Sequence, residues 1–211
     1  MDVTTTDLEK ALALAPFDDT AAREEMGFVP RPSRPSRPWR DGAVLVLFYP
    51  AEDGFRLVLT RRTATVDHHR SQIAFPGGRR EDGESLRDTA LRETEEEIGV
   101  PRSAIRVLGE MPPFRIPHSG FIVHPFVGVM GSRPEIRIDP REVAEVLEAP
   151  LTRLLDPATR AEEEREILGL TALVPWFDLP GFGEPPLWGA TAMMLAGLLA
   201  RIRAVKNGRE A

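Results

Sequence analysis

The chain has 211 residues, 42% hydrophobic and 28% charged, with a formal net charge of −6 and no cysteine. That length suits one domain, or one domain with a tail, and is enough to bury a substantial core. The acidic balance argues against a nucleic-acid partner, and the missing thiols exclude disulfides, cysteine nucleophiles and cysteine-bound zinc, which fits a reducing cytoplasm.

The N-terminus, Met1-Asp2-Val3-Thr4, lacks the basic-then-apolar pattern of a secretory leader. The longest apolar run, around Trp188–Ala200, is too short to span a bilayer, so no membrane partner is expected. Thr6–Ala15 and Thr20–Met26 read as short helices stopped by Pro16 and Pro30. Thr6, with Glu9 three residues on, has a capping-box pattern.

Between Pro30 and Arg40, prolines at 32, 35 and 38 and arginines at 31, 34, 37 and 40 both repeat every three residues. In a polyproline II helix each set forms its own edge. The segment reads as an extended strap over the domain, or alternatively as an arm gripping phosphates or an acidic surface. Residues 1–40 are thus expected to be a helical and Pro/Arg-rich arm, and 41–211 the globular domain.

In that domain Ala43–Tyr49 and Phe55–Thr60 predict strands joined by a turn over Ala51-Glu52-Asp53-Gly54. Gln72–Phe75 predicts a short strand entering a glycine turn, and Glu84–Ile98 a helix with Gly99 at its C-cap. Ile105–Met111 and Phe121–Met130 predict strands around a Pro/Gly-rich loop at 112–120. Val143–Leu147 predicts a strand and Leu151–Leu155 a short helix. Glu162–Glu166 fits loop or helix, Ile167–Phe177 a strand pair or one bent strand, and Trp188–Val205 a strong helix. These elements predict an α/β architecture: a mixed sheet covered by helices.

The run Glu95-Glu96-Glu97, just after Arg92-Glu93, is a poor way to build a helix, because like charges three or four apart repel by roughly 0.2–0.5 kcal/mol per pair. At about 100° per residue, Leu86, Ala90, Leu91, Thr94 and Ile98 share one broad side, the predicted buried stripe. Glu93, Glu96 and Glu97 cluster beside it, while Glu95 and Glu84 fall on the opposite side, facing water. Oxygen ligands with no histidine on the helix suit a hard divalent ion, Mg²⁺ or Mn²⁺. The plainer reading is a solvated acidic helix end. None of the four histidines, His68, His69, His118 and His124, has the i, i+4 partner of a zinc helix.

The spacing decides for the ion. Gly78, five residues, Glu84, seven residues, then Arg92-Glu93-Thr94-Glu95-Glu96-Glu97-Ile98-Gly99-Val100 resembles the Nudix box, G-x5-E-x7-R-E-U-x-E-E-x-G-U with U aliphatic. Every fixed position is met, and Thr94 is the one departure, at the first aliphatic place. The resemblance implies an α/β/α sandwich and metal-dependent hydrolysis of a diphosphate linked to another group, usually nucleoside-containing. It also implies roles by position. Glu93, Glu96 and Glu97 look like metal ligands, Gly78 like the glycine whose carbonyl joins them, and Arg92 like the partner that orients a glutamate. Glu84 looks structural. The resemblance leaves the general base open between a box glutamate, Glu93 or Glu96, and a downstream acid, for which Glu142 is the candidate (or an additional ligand) and Glu145 the alternative.

Upstream, Leu59-Thr60-Arg61-Arg62-Thr63-Ala64 and Phe75-Pro76-Gly77-Gly78 resemble the extra motif of coenzyme A pyrophosphatases, as does Trp188-Gly189-Ala190-Thr191. By this resemblance Arg62, Phe75 and Gly77 are substrate-binding candidates. Asp67 stands where that motif has its second arginine and Ser71 where it has a glycine, so Arg61, Arg70 or the basic arm is expected to substitute. Phe114 is a candidate to stack on adenine, against a packing role. The expected partner is a small-molecule substrate, coenzyme A or another nucleoside diphosphate derivative, and the sequence admits a homodimer.

Overall fold

The structure, a computed structural model, describes residues 2–27, 38–63, 71–117, 119–167 and 170–209. Two short helices, α1 (Thr5–Ala13) and α2 (Thr20–Glu25), lead into strands β1 (Arg40–Ala51) and β2 (Gly54–Arg62). Short strands β3 (Ile73–Ala74) and β4 (Gly77–Arg79) precede helix α3 (Leu86–Ile98). Then come β5 (Arg106–Glu110), β6 (Phe114–Ile116), β7 (Phe121–Val129), β8 (Val143–Pro150) and helix α4 (Leu151–Leu154). The chain closes with β9 (Arg160–Ile167), β10 (Leu170–Phe177), β11 (Leu187–Trp188) and helix α5 (Gly189–Lys206).

The main sheet is mixed. β1 runs antiparallel to β2 from Leu47 opposite Val58 to Ala51 opposite Gly54, and parallel to β7 along most of its length. Beyond Leu47 and Val58 the two strands part. β1 then pairs with β4 through Gly42–Val44, and β2 pairs with β3 at Thr60 and Arg61. The glycine turn is wedged into this split, with the Leu45 N–H donating to the Pro76 carbonyl at 2.9 Å. The outer edge of β2 carries β8, and β7 carries β5 and β6, all antiparallel.

Side chains on a strand alternate between faces, and β1 shows what that does. Ala43, Leu45, Leu47 and Tyr49 join one core with Ala90, Leu91 and Ile98 of α3. Val46 and Phe48 join the other, larger core with α5 and residues of α1. The result is the expected α/β/α layering.

Several sequence expectations need correction. The capping box of α1 is built by Thr4 and Asp7, two residues before the expected pair, so the helix also starts earlier. Residues 162–166 are neither loop nor helix. They lie in β9, which pairs antiparallel with β10 from Arg160–Phe177 to Ile167–Leu170, resolving the 167–177 ambiguity as the second arm of a hairpin. The 112–120 loop contains β6. Helices α1 and α2 pack against α5, and Leu8 and Ala11 are fully buried in the larger core. Buried Arg201 fastens them there, donating to the Ala11 and Leu14 carbonyls and to Asp19. Of the triplet-repeat segment between Pro30 and Arg40, residues 30–37 lie outside the described residues.

Candidate active site

The site forms where the β1–β2 split meets α3. Ser85 caps α3 by accepting from the Asp88 N–H at 3.1 Å, and Gly99, in a left-handed conformation, ends it. Thr89, Ala90, Leu91, Thr94, Glu97 and Ile98 form its buried side, so Thr94 serves at the aliphatic position by donating its hydroxyl to the Ala90 carbonyl at 2.7 Å.

Both glycines of the turn are required by space. A β-carbon on Gly77 would lie 2.6 Å from Val44 Cα, and one on Gly78 would collide with the Glu93 carboxylate. The backbone therefore passes directly over α3, and the Gly77 N–H donates to Glu97 Oε2 at 3.3 Å. The Gly78 carbonyl lies against Gly42 of β1.

Glu97 is only 3% exposed. Its Oε1 meets Arg62 Nη1 at 3.5 Å, and Arg62 Nη2 lies 3.8 Å from Glu142 Oε2. Glu142 is brought there by its backbone, whose carbonyl accepts from the Thr63 N–H at 2.9 Å. Burial pushes the Glu97 carboxyl up to about 8, against the pull of Arg62 and the Gly77 N–H, with Glu93 and Glu142 adding repulsion. Burial also raises Glu93, with Arg92 opposing and Glu96 and Glu142 adding to it. These carboxylates sense one another, so they share one electrostatic site.

Arg92 organises the helix side. It makes a two-point contact with Glu84, at 2.9 and 3.2 Å, and pairs with Glu93 at 3.0 Å and Glu96 at 2.9 Å. Here two expectations change. Glu84 does not face water: it precedes the N-cap, so the helical wheel does not apply to it. Arg92 and the Thr89 hydroxyl hold it, and Arg92 keeps its carboxyl down at about 2. Nor do Glu93, Glu96 and Glu97 converge. Arg92, four residues before Glu96, draws that side chain outward until it is 58% exposed, while Glu97 turns inward. Among the described residues no three His, Asp or Glu side chains gather closely enough to hold a metal ion.

The donor set nevertheless fits a hard dication. It consists of carboxylate and carbonyl oxygens, and the inward Glu97 is held as an anion only against a strong burial penalty that a cation would remove.

The remaining sequence candidates divide. Arg62 and Gly77 stand at the site. The Phe75 ring is 3% exposed inside the larger core, so it packs rather than binds. Phe114 also packs against that core, with the Arg23 guanidinium 6.0 Å from its ring centre. Arg61 points elsewhere, with its donors directed at backbone carbonyls and Glu145. Arg70 lies outside the described residues. Sequence reasoning missed the Glu84–Arg92 contact and the convergence on Arg61. The first had a signal in the eight-residue spacing of opposite charges across a cap, whereas the second joins distant segments and had none.

Residues 39–170 match the NUDIX domain family. The chain is similar to Nudix hydrolase 15, mitochondrial, of Arabidopsis thaliana, at 34% identity over 172 residues, covering 79% of this chain and 59% of that protein. It therefore spans a little over half the length of that relative. It is also similar to an uncharacterized Nudix hydrolase, NudL, of Photorhabdus laumondii, at 31% identity over 196 residues, covering 89% of this chain and 98% of the relative. Among solved structures, RenU, a Nudix hydrolase from M. smegmatis, shares the fold with a TM-score of 0.55 at 18% identity, over 83% of this chain and 90% of its own. The chain belongs to the Nudix family. Among the described residues no helix is long and apolar enough to cross a membrane.

Proposed function

We propose that this chain hydrolyses the diphosphate linkage of a nucleoside diphosphate derivative with Mg²⁺ or Mn²⁺, and that coenzyme A or an acyl-coenzyme A is its preferred substrate. The products would be 3′,5′-ADP and (acyl-)4′-phosphopantetheine. The observation carrying this reading is the buried Glu97 carboxylate, flanked by the Gly77 N–H, Arg62 and the Glu142 side of the cleft.

Glu97 and Glu93, with the Gly78 carbonyl, would hold the ion, and Glu96 would join them only by swinging in from its outward contact with Arg92. When bound, the ion neutralises phosphate charge and acidifies water. Arg92 orients Glu93 and Glu96 through the contacts above. Arg62 meets phosphate oxygens as a planar fork of donors. Glu142, half exposed at the mouth, takes the proton of the attacking water. Glu145 suits that role less, since it is paired with Arg61 at 3.1 Å. Departures at Asp67 and Ser71 from the coenzyme A motif favour one second reading, ADP-ribose or a related diphosphate as substrate.

A panel of coenzyme A, acyl-coenzyme A, ADP-ribose, NADH and diadenosine polyphosphates, assayed with each metal, separates these readings. Release of 3′,5′-ADP supports the first and AMP from ADP-ribose the second. No turnover of any of them rejects the enzymatic reading. Glu97→Gln is expected to lose at least about a hundredfold in kcat while remaining folded. Near-wild-type turnover by that variant would remove Glu97 from the metal site.

A further inference from the structure

The end of β2 carries two adjacent arginines that point to different places. Arg62 faces Glu97 and Glu142. The Arg61 side chain turns away from them and is 12% exposed. Its Nη1 donates to the carbonyls of Ser71 at 3.2 Å, Pro185 at 3.2 Å and Glu184 at 3.4 Å. Its Nη2 donates to the Phe182 carbonyl and its Nε to Glu145. One guanidinium thus joins four segments: β2, the turn before β3, the 182–185 loop and β8.

Ser71 gives this convergence its meaning. Among the described residues it is the one non-glycine with a positive φ, 58°. That left-handed conformation suits glycine and strains a residue with a β-carbon. From Ser71 a short, heavily tethered path leads to the site. The Gln72 carbonyl accepts from the Arg62 N–H, β3 pairs with β2, Phe75 is buried, and the Pro76 carbonyl accepts from Leu45. The next residue is Gly77, whose N–H meets Glu97.

We propose that Arg61 is a positioning residue for the reaction proposed above. By holding the Ser71 carbonyl in its strained turn, and anchoring that turn to the 182–185 loop, it fixes where the 71–77 segment presents its N–H to Glu97. Arg61 touches no reacting group. It replaces by hydrogen bonding the conformational ease a glycine would bring at position 71.

The test compares Arg61→Ala, Ser71→Gly and the double variant in the full chain. Amide exchange is followed over residues 71–78, with kcat and KM on a diphosphate that the wild type turns over. Arg61→Ala is expected to speed exchange in 71–78 about tenfold, and to lower kcat about tenfold with KM changed less than about threefold. Ser71→Gly alone is expected to leave turnover within about twofold, and in the Arg61→Ala background to recover most of the loss.

A guanidinium that merely stabilised the fold would not be rescued by a glycine ten residues away. Unchanged exchange in Arg61→Ala, or a double variant no better than Arg61→Ala, overturns the proposal. If Arg61→Ala fails to fold, Arg61→Lys keeps the charge beside Glu145 but loses the planar fork that reaches several carbonyls. It must then show the same local rise in exchange and the same rescue. If the wild type cleaves no diphosphate, the proposed activity falls while the exchange comparison still decides the role of Arg61.

Discussion

The helix side and the strand side of the cleft are each organised by one sheltered arginine, and the two work differently. Arg92, 14% exposed, gathers the carboxylates of Glu84, Glu93 and Glu96. Arg61, almost equally sheltered, gathers backbone carbonyls and the single carboxylate of Glu145. Three carboxylates against one guanidinium leave the helix side two negative charges in excess, before buried Glu97 is added. The strand side is balanced at Arg61, and Arg62 lies within reach of the carboxylates of both Glu97 and Glu142. The excess negative charge therefore sits on the helix side, where a dication would offset it. The same residue type supplies charge compensation in one place and backbone geometry in the other.

Removing the charge compensation at Arg92 carries the largest expected effect. Arg92→Ala leaves Glu84 and Glu93, both mostly buried, without their cation. Removing one partner of a buried ion pair costs roughly 3–5 kcal/mol, and the partial exposure here puts the expected loss at the lower end. Urea unfolding measures it. Arg92→Lys is expected to recover only part, because an ammonium cannot reproduce the two-point contact with Glu84. A loss under about 1 kcal/mol would mean that these carboxylates do not depend on Arg92.

The two sides also differ in how far they could be read in advance. On the helix side the partners of Arg92 lie one, four and eight residues away, and the motif resemblance already pointed to Arg92 as the partner that orients a glutamate. The wheel failed only where its assumptions did. It treated Glu84 as helical although the helix begins after Ser85, and it placed Cβ atoms rather than carboxylates, so it missed the outward swing of Glu96. On the strand side the partners of Arg61 lie 10 to 124 residues away. Carbonyl acceptors are present at every residue, so composition and periodicity carry no trace of them. The mixed sheet covered by helices was legible in the order of short strands and helices, and the α/β/α layering in the motif resemblance. The continuously apolar run Ala43–Tyr49, by contrast, did not show that β1 divides its side chains between two cores. Nor was the β9–β10 hairpin legible, because Glu162–Glu166 is an unbroken charged run with no alternation of apolar and polar residues.

A second test sharpens the charge imbalance through pH. In the metal-free protein the Glu97 carboxyl titrates at about 8 rather than at the ordinary 4.5, chiefly through burial. A carboxyl whose pKa is raised on folding favours the folded state while protonated. That contribution is fully present below about pH 4.5 and is lost as pH rises through about 8. Glu93 shifts in the same direction, whereas Glu84 is depressed and acts only at more acidic pH. With chelator present, stability is expected to fall by on the order of 2 kcal/mol between pH 5 and 9. Glu97→Gln should flatten that fall, and Mn²⁺ should restore the wild type mainly at the alkaline end. A wild-type profile flat to pH 9 would show that burial does not hold Glu97 protonated.

The smallest expected effect lies on the same helix and tests whether position, rather than acidity, matters. Glu95 sits between Thr94 and Glu96 but projects outward, pairing with Arg102 at 2.8 Å, and both side chains are well exposed. Exposed pairs of this kind contribute roughly 0.2–1 kcal/mol, because solvent screens the attraction and two long side chains must be ordered. Arg102 lowers the Glu95 carboxyl from its ordinary value, the reverse of the upward shift burial imposes on Glu97. Glu95→Gln is therefore expected to change stability by about 0.5 kcal/mol or less and to leave metal affinity within about twofold. Isothermal titration with Mn²⁺ reads the second quantity directly. If Glu95→Gln weakened Mn²⁺ binding as much as Glu97→Gln, the negative charge of the helix end as a whole, not the inward carboxylate beside Gly77, would be attracting the ion.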